Sequence, residues 1–143
     1  VLMDNGAKLR SFGKLVTEFI EQHGTRTDMN EFITPLADIG DKVTKLTMEL
    51  GMKAFANQEE AGAAAVDYMR IVGHLVYAYF WAKMARIALD RIKADGDGVD
   101  PFYRHKLTTA RFYFQRLLPE TAYHIRTARS GAKNLMELPA EAF

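Results

Sequence analysis

Apolar residues return at three- and four-residue steps through four long stretches of this chain. Short polar links separate the stretches, and no run alternates as a half-buried strand does. The first stretch runs from Asp4 to about His23. Leu9, Phe12, Val16, Phe19 and Ile20 share one face, Asp4 or Asn5 can cap it, and Gly24 ends it. The second lies between Asp28 and Phe55, with Phe32, Leu36, Ile39, Val43, Leu46 and Leu50 as its stripe. Pro35 leaves two starts open: a helix beginning there with Thr34 as cap, or one longer helix disturbed in its first turn, which is the preferred reading. The third runs from Glu59 to Ala94 after the capping link Asn57-Gln58-Glu59-Glu60. Ala61, Ala64, Ala65, Tyr68, Val72, Leu75, Tyr79 and Ala82 form its main face. From Leu75 to Ala82 it is apolar all round, and Ala94-Asp95-Gly96-Asp97-Gly98 breaks it.

The fourth stretch opens on Asp100-Pro101, a cap followed by a residue with no amide hydrogen to leave unpaired. Tyr103, Leu107, Ala110, Phe114, Leu117 and Thr121 then predict one buried face. The pattern continues to about Arg129, with a kink expected at Pro119, and Ser130-Gly131 stops it. Residues 131–143 read as a tail with one further helical turn. Four long helices and short links predict one all-α domain over residues 1–143, an antiparallel up-and-down four-helix bundle. Six aromatics stand off these stripes at ~100° per residue. They are Tyr77, Phe80 and Trp81 on the third helix, and Phe102, Phe112 and Tyr113 on the fourth. The plain account is a helix in the middle of a small core. The sharper one is a docking interface formed by these six.

Composition narrows the function. A chain of 143 residues with net charge +1 is long enough to bury roughly 68% of its unfolded surface. The charge is uneven: residues 1–60 carry seven Lys/Arg against ten Asp/Glu, and the remainder twelve against eight. Arg104, Arg111, Arg126 and Arg129 give the fourth helix a candidate basic flank. It serves either as internal ion pairs or as a surface for an acidic partner, a coenzyme phosphate or nucleic acid; the asymmetry alone is too small to argue for nucleic acid. There is no Cys, which excludes disulfides and thiolate metal sites and fits a cytoplasmic protein. No window of about 18 apolar residues predicts a membrane span, and no secretory leader is visible. A start at Val1-Leu2-Met3-Asp4 is expected of a piece of a longer polypeptide.

No catalytic constellation emerges. A bundle di-iron site needs Glu-x-x-His twice, and that motif is absent. Glu120 and His124 sit four apart and read as a surface pair without further partners; His74 reads as a hydrogen-bonded packing histidine. Asp95, Asp97 and Asp100 begin like a calcium loop, but Lys106 stands where the closing Glu is needed. No phosphate-cradling Gly loop, Gly-x-Ser-x-Gly or Walker lysine occurs. Catalytic, cofactor-binding and metal residues are therefore all expected to be none.

Three segments carry a resemblance. Phe102 to Glu120, FYRHKLTTARFYFQRLLPE, resembles the FY-x-x-KL-x-TARF-x-F-x-x-LLP helix of one branch of the acyl-CoA dehydrogenases. Those enzymes carry an extra helical domain after the flavoprotein core, and the branch includes 3-methylmercaptopropionyl-CoA dehydrogenases. Tyr68 to Ala85, YMRIVGHLVYAYFWAKMA, is similar to the YLRL-x-G-x-x-x-x-x-x-WA-x-MA helix of that domain. Asp4 to Arg10 resembles the DGGAALR join to the core, and Leu135 to Phe143 looks like the branch's C-terminus. The resemblance implies a catalytic core upstream of Val1, holding FAD and the Glu that removes the α-proton of an acyl-CoA. None of its catalytic residues falls here. Electrons would pass from FAD to an electron carrier, and the partners implied are the core and further copies of the subunit. Two other readings stay open. One is a nucleic-acid or membrane-surface module; the other is a free-standing bundle that pairs with itself, because large apolar patches seldom stay in water.

Overall fold

A computed structural model describes residues 6–142, and among them every regular element is helical. Helices α1 (Ala7–His23), α2 (Asn30–Ala56) and α3 (Glu59–Asp95) are followed by α4 (Pro101–Phe112), a π-helical turn (Tyr113–Leu117) and α5 (Glu120–Ala128). A short α6 (Lys133–Met136) lies in the exposed tail. The expected caps Asp4 and Asn5, and the chain-end resemblance at Phe143, lie outside the described residues.

Local chemistry sets the boundaries. The Asp100 carboxylate accepts the Phe102 amide at 2.9 Å and starts α4. The Asn57 side chain does the same for Glu59, at 3.1 Å, ahead of α3. Pro35 lies inside α2, so Thr34 is not a cap. A tight turn, Thr27–Met29, stands immediately before the helix. At the other end, Gly131 takes φ +81°, and an added Cβ would stand 3.1 Å from the Glu60 carboxylate. That carboxylate accepts the Ala132 amide at 3.2 Å and ties the tail to the start of α3.

Helix α3 packs against α2, α4 and α5, while α1 leans chiefly on α2. Its buried row is rich in alanine (Ala64, Ala78, Ala82, Ala85 and Ala88), so neighbouring backbones approach closely around Ile71, Leu75 and Tyr79. From α2, Met29 at its threshold and Phe32, Leu36, Ile39 and Leu46 are the most deeply buried large side chains. Phe32 meets Phe114 edge to face at 5.4 Å, joining α2 to the π-helical turn. The third-helix stripe needs two corrections. Ala65 is exposed and Ile71 is fully buried, so the face runs one step round from the expected one.

The larger correction lies at Pro119. The expected kink is a change of helical phase. Pro119 has no amide for the Gln115 carbonyl, and its ring crowds that carbonyl. The backbone widens just upstream: the Leu118 amide donates to the Tyr113 carbonyl, five residues back, at 2.9 Å. One extra residue is thereby taken up in the turn. Leu117, expected in the core, is 43% exposed, and Leu118 is 6% exposed in its place. Tyr113, expected off the stripe, is buried beside Phe114. Thr121, buried as expected, rejoins the face, and Ile125 and Ala128 carry it to the end of α5. Leu118→Ala should cost ~2–4 kcal/mol in urea unfolding and Leu117→Ala under ~1 kcal/mol. The reverse order would contradict the shifted phase.

Candidate functional site

The aromatics converge on the seam between α3 and α4. Tyr113 is at its base, only 4% exposed. Its hydroxyl donates to the His74 carbonyl at 3.0 Å and lies 3.0 Å from His74 Nδ1. Trp81 stacks on the Tyr113 ring at 6.2 Å, and Tyr77 meets it edge-on at 6.5 Å. The Lys106 ammonium sits 5.7 Å from the Trp81 ring centre and 5.4 Å from that of Phe102. Burial raises the Tyr113 hydroxyl well above the ordinary tyrosine value, and the neighbouring Tyr77 and Glu120 add to this, so it remains a donor.

Of the six expected docking aromatics, Tyr77, Phe80, Phe102 and Phe112 are exposed, Trp81 is half-buried, and Tyr113 is inside. Tyr113 cannot meet a partner, because the π-helical turn rotates it onto the α3 backbone. The four arginines do not make one free basic face. Arg111 grips Glu31 bidentately at 2.8–3.0 Å, and Arg129 holds Glu49 at 2.7 and 2.9 Å. Arg104 donates to the Gly96 carbonyl at 3.1 Å, and Arg126 is exposed. The hydrogen bond from Arg129 holds the Glu49 carboxyl below its usual range, and the bonds to Glu31 and Glu49 raise Arg111 and Arg129 respectively.

Beside Tyr113 lies a polar chain that the sequence reading missed. His124, expected on the surface, is 5% exposed. Its Nδ1 is 2.7 Å from Asp67 Oδ1 and its Nε2 3.1 Å from Glu120 Oε1. The second Glu120 oxygen is 3.4 Å from His74 Nε2. Both ring nitrogens of His124 thus face carboxylate oxygens, one from α3 and one from α5. Asp67 on α3 supplies the partner that spacing along α5 could not reveal. The arrangement ties α3 to α5. Among the described residues no group of three His, Cys, Asp or Glu is placed to hold a metal ion. Asp95 and Asp97 sit at an exposed turn between α3 and α4.

A further groove of about 590 Å³ opens between α1 and α2, lined by Leu9, Gly13, Val16, Ile20, Gly40 and Val43. It is mostly apolar, and none of its lining residues is His or Cys. Among the described residues, no helix is long and apolar enough to cross a membrane.

The chain matches the family described as acetyl-CoA dehydrogenase C-terminal like over residues 12–139. The chain belongs to that family. None of the curated proteins matches it.

For this family member, the polar chain makes a pH prediction. The hydrogen bond from His124 lowers the Glu120 carboxyl below its ordinary 4.5; burial opposes this and His74 reinforces it. A value lowered by folding means stability that is complete above 4.5 and lost as pH falls below it. Glu120→Gln should therefore melt below wild type at about pH 5.5, and that gap should narrow as pH is lowered below 4.5. A gap independent of pH would show that the charge of Glu120 contributes nothing.

Proposed function

We propose that this chain is the non-catalytic C-terminal accessory domain of an FAD-dependent acyl-CoA dehydrogenase of the 3-methylmercaptopropionyl-CoA dehydrogenase-like branch. The observation that carries the reading is the family match over residues 12–139. In the parent enzyme, a core glutamate would remove the α-proton of an acyl-CoA, and bound FAD would supply the oxidising power for the reaction. The product is the 2,3-enoyl-CoA, and an electron carrier reoxidises the flavin in the cytoplasm. Half of the chain's glycines, Gly13, Gly40, Gly51, Gly62 and Gly73, lie in helix interiors, which supports placing the flavin in the core.

The domain is read as an up-and-down bundle. Glu31 meets Arg111 and Glu49 meets Arg129, which supports parallel courses for α2 and the α4–α5 run. Arg26 meets Asp90 and Thr47 meets Tyr68, which supports an opposed α3. Docking is assigned to the aromatics left in water. Phe102 and Phe112 on α4 face the catalytic core; Tyr77, Phe80 and the half-buried Trp81 on α3 continue the surface towards the core or another subunit. The nucleic-acid reading loses support because Glu31 and Glu49 engage two of the four flank arginines.

Two measurements test this. The longer polypeptide should purify with bound FAD, and acyl-CoA should bleach the flavin anaerobically; a flavin-free polypeptide would defeat the parent-enzyme reading. Phe102→Asp with Phe112→Asp should weaken binding of this chain to the separately produced core by ~10-fold or more, with helical content unchanged. Unaltered affinity would remove the α4 docking assignment.

A further inference from the structure

Helix α3 carries a second apolar row that the rest of the chain leaves uncovered. Val66, Met69, Tyr77, Phe80 and Ile87 are 62%, 66%, 61%, 50% and 43% exposed. At ~100° per residue they fall within about 45° of a single line, and Gly73 and Met84 fill its gaps. That line stands roughly 180° from the buried Ala64, Ile71, Leu75 and Ala82. The row carries no charge from Val66 to Ile87 and is ~32 Å long. Arg70 and Lys83 stand on opposite flanks of it.

We infer that this row is a seam for a second copy of the chain, α3 against α3, antiparallel about a two-fold axis at Val76–Tyr77. The order of side chains supports that occupant. Counted from the midpoint between residues 76 and 77, Gly73 and Phe80 are equidistant, as are Met69 and Met84, and Val66 and Ile87. In an antiparallel pair each therefore meets its counterpart, and a two-fold interface must be self-complementary in this sense. The Gly73–Phe80 match is one of shape. A Cβ added at Gly73 would meet nothing within 4 Å, so the surface has a gap there. The half-exposed Phe80 ring of the other copy fills it, twice by symmetry. Glycine is unfavourable in a helix interior, and no contact within the chain requires it at residue 73.

The area is of the right order. The five exposed side chains of two copies offer on the order of 1,000 Å², near the ~1,200 Å² at which stable interfaces begin, before the flanks are added. The inference deepens the subunit-contact part of the proposed function and rests on that part alone. The core-docking reading is tested through Phe102 and Phe112, so either can fail without the other.

The chain has no cysteine, which makes cross-linking direct. In sedimentation equilibrium the 143-residue chain should reach the dimer mass at tens of micromolar. A short bis-maleimide should link Val66→Cys to Ile87→Cys in a mixture of the two variants and link neither to itself. Phe80→Glu, and separately Gly73→Leu, should each raise the dimer dissociation constant at least ~10-fold with helical circular dichroism unchanged. Two variants are used so that a folding defect in one leaves the other readable. A chain monomeric at every concentration overturns the inference, as does self-linking of Val66→Cys (a parallel pair) or an unaltered mass in both Phe80→Glu and Gly73→Leu.

Discussion

Everything in this domain depends on α3 burying one side of itself. The other long helices have it as their common floor: α2, α4 and α5 pack on it, and α1 reaches it through Phe12 and Phe19 against Tyr79. Alanine at five buried positions of α3 brings those neighbours close, and larger side chains from α2 fill the remaining space. Close approach has a geometric limit. A helix has room for neighbours around only part of its circumference, so a 37-residue helix apolar on two opposed faces must leave one of them outside a small bundle. The exposed row from Val66 to Ile87 follows from this.

The second constraint is phase. Without Pro119, the fourth run would carry a stripe through Phe114 and Leu117 onto α3. The wide turn of Tyr113–Leu117 changes which residues belong to it. Its effect reaches well beyond the proline: it buries Tyr113, lets that hydroxyl bond the His74 carbonyl, and sets the register in which Glu120 and His124 meet α3. The place of Tyr113 in the aromatic seam and the register of the polar chain both follow this turn.

This explains what the sequence revealed and what it concealed. Helix existence and breaks were legible because Asp100-Pro101, Gly96 and the three- and four-residue spacing act locally; α3 and α4 begin at the expected residues. Leu117 and Tyr113 were misplaced because a fixed 100° step cannot anticipate a π-helical turn. The environment of His124 was hidden because Asp67 lies 57 residues away, on another helix. Spacing can show that Glu120 and His124 share a face, but not what that face meets. The exposure of Phe80 and Tyr77 was visible as an angle off the main stripe. The symmetry of their row emerged only once Val66, Met69 and Ile87 were found exposed beside them.

Charge completes the argument about what kind of surface this is. The second half of the chain is basic and the first acidic, which by itself would allow an acidic ligand. The pairs Glu31–Arg111 and Glu49–Arg129 take up part of that difference as surface ion pairs between α2 and the α4–α5 run. Exposed pairs of this kind add little stability, but they satisfy the arginines and fix the alignment of the helices. What remains conspicuous outside is apolar: Phe102 and Phe112 on α4 and the row on α3. The groups with chemical potential, His74, His124, Glu120 and Tyr113, are bonded to one another across the α3–α4–α5 seam. These groups link the three helices, while Phe102 and Phe112 of α4 and the outer α3 row stay in water.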